Sequence, residues 1–300
     1  MKKPLISIIT LTYKKFEYVY DAIDSVLNQT YPNIEYIISD DGSCDFPKKQ
    51  IEDYIIAHKK DNIVKFRVIT SNTNNGTVKN LNRAYRLAVG DILIPLSADD
   101  VFFSDDVVEK IVETFLKKGC NVLVTSRMAF SEDGKESKKL PKKENEKYIS
   151  KLDIAEKQHL AFITDEFYDM ASGSVMYVKK AFLDKWGYFD EKYKLWEDGP
   201  FFTQYTRENI LTTEYEIISI KYRLGGVSNG KPNPLMRKDR ELYNQTDRIT
   251  EIANLSLFKQ RKIKYICERY ITSSLLKKLY LYMCYPDVMV SKIIYKFRQK

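Results

Sequence analysis

Along its first hundred residues the chain alternates between two kinds of hydrophobic pattern. A short apolar run at residues 5–12, bounded by Pro4, has the length and composition of a buried β-strand. Residues 17–30 instead carry apolar side chains at the three- and four-residue spacing of an amphipathic helix. The alternation continues with predicted strands at residues 34–39, 64–69 and 92–96 and predicted helices at residues 47–58 and 77–89.

This alternation predicts the fold class. Strand, helix and strand in repeated succession is the order found in a parallel sheet that is covered by helices on both faces. We therefore predict an α/β fold with a central, mostly parallel sheet. In such sheets ligands bind outside the carboxyl ends of the strands. Tyr13, the pair Asp40 and Asp41, and the pair Asp99 and Asp100 all follow predicted strands, so we expect them to share one crevice.

The adjacent acids Asp99 and Asp100 need an explanation, because each carboxylate raises the cost of ionising the other. One interpretation is that they cap a helix that starts near Ser104, just as Asp40 and Asp41 could simply form a turn. The other is that a divalent cation joins the carboxylates to phosphate oxygens. The chain has no GxGxxG or GxxxxGK(S/T) motif, so neither a dinucleotide nor a P-loop phosphate site is indicated.

Composition limits the classes of protein that fit. A chain of 300 residues with 44% hydrophobic residues can form a large α/β domain with an extension. Its four cysteines are scattered without CxxC spacing, which favours a reduced, cytoplasmic chain. We interpret the first apolar run as a strand and not a signal peptide, because polar residues interrupt it. No stretch approaches the roughly 20 apolar residues of a membrane span.

The positive charge is concentrated at the end of the chain. Residues 255–300 contain 11 Lys and Arg and 2 acids, a net charge of +9, and the whole chain carries +8, so residues 1–254 sum to −1. Apolar residues recur in this tail at roughly helical spacing, interrupted at Pro286. One interpretation is peripheral contact with an anionic membrane, and the other is packing on the main domain or in a homodimer. No basic groove with stacking aromatics precedes the tail, which argues against nucleic acid.

Three blocks of the sequence resemble family 2 glycosyltransferases, which have the GT-A fold. They are PLISIITLTYKKFEYVYDAIDSVLNQTYPNIEYIISDDGSCD, NNGTVKNLNRAYRLAVGDILIPLSADD and GSVMYVKKAFLDKWGYFDEKYKLWEDGPFF. They occur in the family's order between residue 4 and about residue 228. By this resemblance, residues 1–100 form the nucleotide-binding half of a GT-A domain and residues 101–230 its acceptor-binding half. Residues 231–300 form a basic, amphipathic helical C-terminal extension.

The resemblance implies a nucleotide-sugar donor, most often a UDP-sugar, and a Mn²⁺ or Mg²⁺ ion. Asp41, supported by Asp40, would accept a hydrogen bond from the base, because charge-assisted bonds are the stronger kind. Asp198 would be the general base that takes the proton of the acceptor hydroxyl, with Glu197 beside it. The implied nucleotide-binding residues are Thr12, Tyr13, Asp40, Asp41, Lys79 and Asp99, the metal ligands Asp99 and Asp100, the catalytic residues Asp198 and Glu197, and the acceptor-binding residues Trp196, Gly173 and Ser174.

The chain departs from the family pattern at several positions. Ser97 replaces the first Asp of the metal motif, Lys14 stands where Asn is common, and residues 221–230 lack the His that is often found there. The resemblance still implies an inverting, metal-dependent transferase of the hexosyltransferase type. Its acceptor would be a saccharide or lipid-linked saccharide in bacterial surface or capsular polysaccharide synthesis, at the cytoplasmic face of the plasma membrane.

Two alternatives stay open. A catalytically silent GT-A-like binding or scaffold subunit is compatible with Ser97 and the missing His. A sugar nucleotidyltransferase would share the sheet and the acidic site, but it would need a phosphate-binding loop after the first strand, and the segment TYKKFEYVY has no glycine. The charge-rich residues 130–151 are interpreted as a mobile loop over the acceptor side.

Overall fold

The computed structural model describes residues 3–131, 137–164, 171–225, 233–253, 255–271 and 274–298. Every strand and helix predicted for the first hundred residues is present, with ends that differ from the prediction by a few residues at most. These elements are β1 (Ile6–Thr12), α1 (Val19–Leu27), β2 (Ile34–Asp40), α2 (Lys48–His58), β3 (Ile63–Thr70), α3 (Thr77–Leu87) and β4 (Ile92–Ser97).

The middle of the chain adds more strands and helices in a less regular order. They are β5 (Val101–Phe102), α4 (Val107–Lys118), β6 (Val122–Phe130), β7 (Ser137–Leu140), α5 (Lys143–Ile149), α6 (Ala155–Ile163), β8 (Met176–Lys179), α7 (Lys180–Trp186), α8 (Asp198–Tyr205) and β9 (Thr212–Arg223). The C-terminal extension is helical, as predicted. It contains α9 (Pro234–Tyr243), a π-helical turn at Asn244–Arg248, a 3₁₀ turn at Ile249–Ile252, α10 (Leu257–Ile271), α11 (Leu275–Cys284) and α12 (Pro286–Arg298).

The strands of the described residues form one mixed sheet in the order β3-β2-β1-β4-β8-β6-β9-β5, with β7 paired to β6. The four strands from the first hundred residues are parallel, as predicted. The chain leaves β1 for β2 and β3 and then returns to β4 on the other side of β1. A crevice forms at such a change of direction. The strand ends are level there, because Thr12 pairs with Asp40 and Leu11 pairs with Ser97.

Burial explains why these strands have nearly continuous apolar sequences. All seven residues of β2 are buried, since helices cover both faces of the sheet. Amphipathic helices supply the cover: α1 buries Val19, Ala22, Ile23 and Val26 along one face. The resulting core is continuous from the first strands to α9.

The interpretation of residues 130–151 as a mobile loop is wrong for most of the segment. Strand β7 pairs with β6 along Arg127 to Phe130, and helix α5 buries Ile149. The charged side chains misled the prediction because an edge strand is held by its backbone and can leave lysines in solvent. Residues 132–136 lie outside the described residues.

The last three helices pack against each other and against the main domain. Ile263 and Cys267 of α10 contact Ile163 of α6. A second small apolar cluster joins α10, α11 and α12, and Arg261 forms an ion pair with Asp287 at 2.9 Å. Within the described ranges, none of the helices combines the length and the apolar character needed to cross a bilayer.

Candidate active site

A cleft of about 320 Å³ opens at the carboxyl ends of β1, β2 and β4. Its volume lies at the lower end of the range of small-molecule sites, roughly 300 to 1,000 Å³. Eight separate segments of the chain contribute to its wall, which is the arrangement expected at a switch point of the sheet. The lining residues that the sequence predicted are Thr12, Tyr13, Asp41, Asp99, Gly173, Ser174, Trp196, Glu197 and Asp198.

Asp41 lines the cleft, but its neighbour Asp40 does not. Asp40 is fully buried, and its carboxylate accepts hydrogen bonds from the backbone N–H groups of Gly42 and Ser43 and from the Thr70 hydroxyl, at 2.8 to 3.0 Å. Asp40 was predicted to support Asp41 in a nucleotide site, and its hydrogen bonds shape the segment after β2 in which Asp41 lies. Its own contact with a nucleotide stays a prediction.

The Asp41 carboxylate faces the loop before α3. It accepts hydrogen bonds from the backbone N–H of Asn75 at 3.0 Å and of Gly76 at 2.8 Å. Burial raises the pKa of Asp41, and these two bonds oppose that effect. Gly76 has φ +93°, and a Cβ there would lie 2.6 Å from the carbonyl oxygen of Lys194, so the tight approach requires glycine.

Tyr13 presents an open aromatic face at the mouth of the cleft. Its side chain is 38% exposed, and the Lys14 ammonium lies 5.0 Å from the ring centroid. Hydrogen bonds from Asn74 and Lys14 lower the pKa of the Tyr13 hydroxyl. Lys14 itself has φ 61°, a left-handed conformation that Asn tolerates better than Lys, which explains why Asn suits this position.

Lys79 is not among the residues that line the cleft, and its assignment as a nucleotide-binding residue stays a prediction. On α3 the cleft is lined by Thr77 and Asn80, which are three residues apart and share one helix face. Lys79 contributes to the electrostatics of Glu191. The pKa of Glu191 is lowered mainly by a hydrogen bond from Asn82, and the charges of Arg86 and Lys79 add to this effect.

Asp99 and Asp100 have different surroundings although they are adjacent. Asp99 lines the cleft, whereas Asp100 is only 1% exposed and its Oδ1 accepts a hydrogen bond from the backbone N–H of Arg223 at 2.9 Å. Burial, and then the charge of Asp99, raises the pKa of Asp100 to about 8. Neither acid caps a helix, since α4 begins at Val107.

The pair can hold a divalent cation with help from a ligand. Oδ2 of Asp100 is buried without a hydrogen-bond partner, which is costly unless a proton or a cation satisfies it. Among the described residues, no group of three or more His, Cys, Asp or Glu could hold a metal ion. Asp99 and Asp100 therefore fit a cation whose other ligands are phosphate oxygens and water, the usual arrangement for Mg²⁺ in nucleotide sites.

Asp198 lines the cleft from the first position of α8. Its Oδ2 accepts a hydrogen bond from the backbone N–H of Gly173 and its Oδ1 from that of Gly199, both at 2.7 Å. Both oxygens are thus held in place, and each keeps a second lone pair for a further hydrogen bond. A Cβ at Gly173 would lie 2.2 Å from Oε1 of Glu197, so a larger residue there would require the Glu197 side chain to move.

The loop that carries Trp196, Glu197 and Asp198 is fastened by a residue that the sequence analysis missed. Asp239 of α9 is buried, and its carboxylate accepts hydrogen bonds from the backbone N–H groups of Lys194, Leu195 and Trp196 at 2.6 to 3.1 Å. The extension therefore holds the part of the cleft wall that carries Trp196, Glu197 and Asp198.

Two arginines near the acids were also missed. Arg223 lines the cleft, donates from Nε to the carbonyl oxygen of Asp99 at 3.2 Å and stacks 3.6 Å over the Tyr18 ring. Arg127 donates to the hydroxyls of Ser172 and Ser174, which flank Gly173. Arg223 lies in the segment without His, and residues 226–230 of that segment lie outside the described residues. The sequence feature that could have pointed to Arg223 is its position as a basic residue at the end of β9.

Glu197 gives the site a measurable pH signature. Burial, and then the charge of Asp198, raises the pKa of Glu197 to about 8. The folded chain therefore binds a proton that the unfolded chain releases near pH 4.5, and the free energy of unfolding falls as pH rises between these two pKa values.

We expect Glu197→Gln, which cannot ionise, to gain melting temperature relative to wild type from pH 5 to pH 9. Thermal denaturation at each pH checks this, and a difference that is constant with pH would contradict it.

Comparison with known proteins identifies the family. Residues 7–182 match the Glycosyl transferase family 2, and the chain belongs to this family. It is 32% identical over 132 residues to the putative teichuronic acid biosynthesis glycosyltransferase TuaG of Bacillus subtilis, covering 44% of this chain and 50% of that protein. It is 33% identical over 114 residues to chondroitin synthase of Escherichia coli, covering 38% of this chain and 16% of that protein. The chain thus spans half or less of the length of these relatives.

Solved structures agree with the fold. The S. aureus TarS fragment 1–349 in complex with UDP-GlcNAc superposes with a TM-score of 0.62 at 18% identity, covering 89% of this chain and 71% of that one. The mannosyltransferase PcManGT from Pyrobaculum calidifontis in complex with GDP-Man and Mn²⁺ gives 0.56 at 12% identity, covering 99% and 83%. The predicted GT-A fold with C-terminal helices is confirmed.

Proposed function

We propose that the chain transfers a sugar from a UDP-sugar to a hydroxyl of a saccharide or lipid-linked saccharide, with inversion at the anomeric carbon. One observation carries this proposal: a single cleft is lined by Tyr13, Asp41, Asp99 and Asp198 together. Family membership and the UDP-GlcNAc complex of TarS support the donor class. The similarity to TuaG supports a role in the synthesis of a cell-surface polysaccharide.

On the donor wall, the open ring of Tyr13 offers a stacking surface for a base. The fixed carboxylate of Asp41 offers an acceptor for the N–H group of uracil. Asn80 and Thr77 add polar groups at the start of α3. Positioning of this kind is worth a large part of catalysis, because it removes the entropy cost of bringing the reactants together.

On the acceptor wall, Asp198 would take the proton of the attacking hydroxyl as the hydroxyl oxygen bonds to the anomeric carbon. The bond from that carbon to the nucleoside diphosphate breaks in the same step, and the electron pair leaves with the phosphate oxygen. Attack from the face opposite the leaving group gives inversion. The peptide N–H groups of Gly173 and Gly199 keep the base in position during this step.

Asp99 and Asp100 would hold Mn²⁺ or Mg²⁺ together with the donor diphosphate. When bound, such a cation stabilises the negative charge that grows on the leaving diphosphate. Arg223, beside both acids, adds a permanent positive charge to the same side of the cleft. The Mn²⁺ in the structure of PcManGT supports this assignment.

Thermal denaturation with nucleotides tests the donor. We expect UDP with Mn²⁺ to raise the melting temperature more than GDP, dTDP or CMP, because a ligand at 100 times its dissociation constant stabilises by about 2.7 kcal/mol. Asp99→Asn should remove the Mn²⁺-dependent part of the UDP shift. Asp106→Asn is the matched control, since Asp106 is an exposed aspartate that lies just before α4 and is paired with Lys110. Equal shifts for all four nucleotides would contradict the proposal.

Release of free UDP from UDP-sugars distinguishes an enzyme from a silent scaffold subunit. Slow, Mn²⁺-stimulated hydrolysis that depends on Asp99 supports a transferase. Binding of UDP without turnover of any of UDP-GlcNAc, UDP-GalNAc, UDP-glucose, UDP-galactose and UDP-glucuronate, with or without acceptor saccharides, would favour the scaffold.

A further inference from the structure

We propose that helix α11 docks the chain on an anionic lipid surface through its outward face. Four apolar side chains on this helix lie in solvent: Leu275, Leu276, Leu279 and Met283 are 72%, 77%, 49% and 73% exposed. Single exposed apolar residues are ordinary on proteins, but four on one helix of ten residues form a patch. Such patches mark surfaces that contact a partner or a membrane.

The four side chains share one face. With about 100° of rotation per residue, positions 275, 276, 279 and 283 fall within an arc of about 100°. Leu281 lies on the opposite side and is 5% exposed, packed in the small cluster with Tyr265 and Tyr285. The face of α11 that carries Leu281 is therefore buried within the chain. The opposite face lies in solvent, where a surface helix ordinarily carries polar residues, but here it carries apolar ones.

The residues around this face are those of an interfacial helix. Tyr280 and Tyr282, at 62% and 38% exposure, flank it, and tyrosine rings favour the boundary between lipid and water. Lys277 and Lys278 follow the first two leucines, and long lysine side chains can reach headgroup phosphates while their stems lie along lipid. A helix of ten residues is too short to span a bilayer, so it would lie in the plane of the surface.

Charge favours an anionic lipid over a second copy of the chain. Residues 255–300 carry a net charge of +9, and the remaining 254 residues sum to −1. A symmetric dimer through α11 would bring two such tails together, because the same patch meets itself across a two-fold axis. An anionic headgroup layer instead attracts the tail, by about 1 kcal/mol for each Lys or Arg near the surface. The proposal does not depend on the identity of the donor or the acceptor.

Flotation with vesicles, in the absence of donor, tests the docking. We expect the full chain to bind vesicles of phosphatidylcholine with 30% phosphatidylglycerol, and to bind pure phosphatidylcholine weakly. Raising the salt concentration should weaken binding. Leu276→Ser/Leu279→Ser/Met283→Ser should lower the partition coefficient by about tenfold or more, since burying one such side chain is worth about 1.5 kcal/mol or more. Lys277→Ala/Lys278→Ala should lower binding to the anionic vesicles only.

Two controls separate docking from folding and from the proposed function. Leu116→Ser removes an equally exposed leucine (70%) from α4 and should leave vesicle binding unchanged. The triple variant should keep the melting temperature and the UDP-induced shift of wild type, because its changed side chains lie in solvent. Unchanged vesicle binding by the triple variant, or equal binding of wild type to both vesicle types, overturns the proposal. A dimer that the triple variant dissociates, without vesicle binding by wild type, overturns it in favour of a second copy.

Discussion

Asp198→Asn is expected to lower the rate constant of sugar transfer by about 10²- to 10⁴-fold, the usual contribution of a general base. The amide cannot take the proton of an acceptor hydroxyl. Its one oxygen can accept from the peptide N–H of Gly173 or of Gly199 but not from both, so we expect a modest loss of stability with the fold retained. Initial rates of UDP release at saturating donor and acceptor measure the effect.

The pattern of effects matters as much as their size. Affinity for UDP, measured by its thermal shift, should be unchanged in Asp198→Asn, because the donor wall is built from other segments. Asp53→Asn is the matched control: this aspartate is 61% exposed on α2 and paired with Lys49. Transfer within a factor of ten of wild type in Asp198→Asn would show that another group is the base. The neighbouring Glu197 would then be the first candidate.

The donor half of the fold could be predicted because its elements follow one simple rule. Strands β1, β2 and β4 are buried on both faces, so the sequence shows continuous apolar runs between helical periods. The middle of the chain lacks this regularity. Strand β7 is a lysine-rich edge, and β9 pairs in parallel with β6 and antiparallel with β5. Hydrophobic pattern does not report such pairings.

The site residues divide in a similar way. Asp41 and Asp99 could be placed in the cleft because side chains that follow the ends of parallel strands point into a crevice whose position the topology predicts. Asp198 also lines the cleft, but its prediction came only from the resemblance to a family. Asp239 could not be predicted, since its carboxylate binds backbone groups about 45 residues away in sequence, and any sequence provides such N–H groups. For the same reason the sequence does not show that the Asp40 carboxylate binds the backbone N–H groups of Gly42 and Ser43.

Asp239→Ala should have the largest effect on stability and should also impair transfer. The substitution removes the hydrogen bonds of the peptide N–H groups of Lys194, Leu195 and Trp196 to a buried carboxylate, and hydrogen bonds to charged groups contribute about 1.5 to 3 kcal/mol each. We expect a loss of about 3 kcal/mol or more in the free energy of unfolding, measured with urea. Release of this loop should also move Asp198, and a displacement of about 1 Å can cost about 10²-fold in rate.

A positioning role predicts more than general destabilisation. At a temperature where Asp239→Ala is folded, the rate constant should fall while the UDP-induced thermal shift stays near that of wild type. Asp239→Asn, which keeps one carbonyl oxygen, should recover part of both losses. Asp190→Ala is the matched control, because Asp190 binds only one backbone N–H nearby, that of Lys192, and its carboxylate is 47% exposed. If Asp239→Ala lost stability but kept the wild-type rate constant, Asp239 would support the fold alone. The catalytic base would then be positioned by Gly173 and α8 without help from the extension.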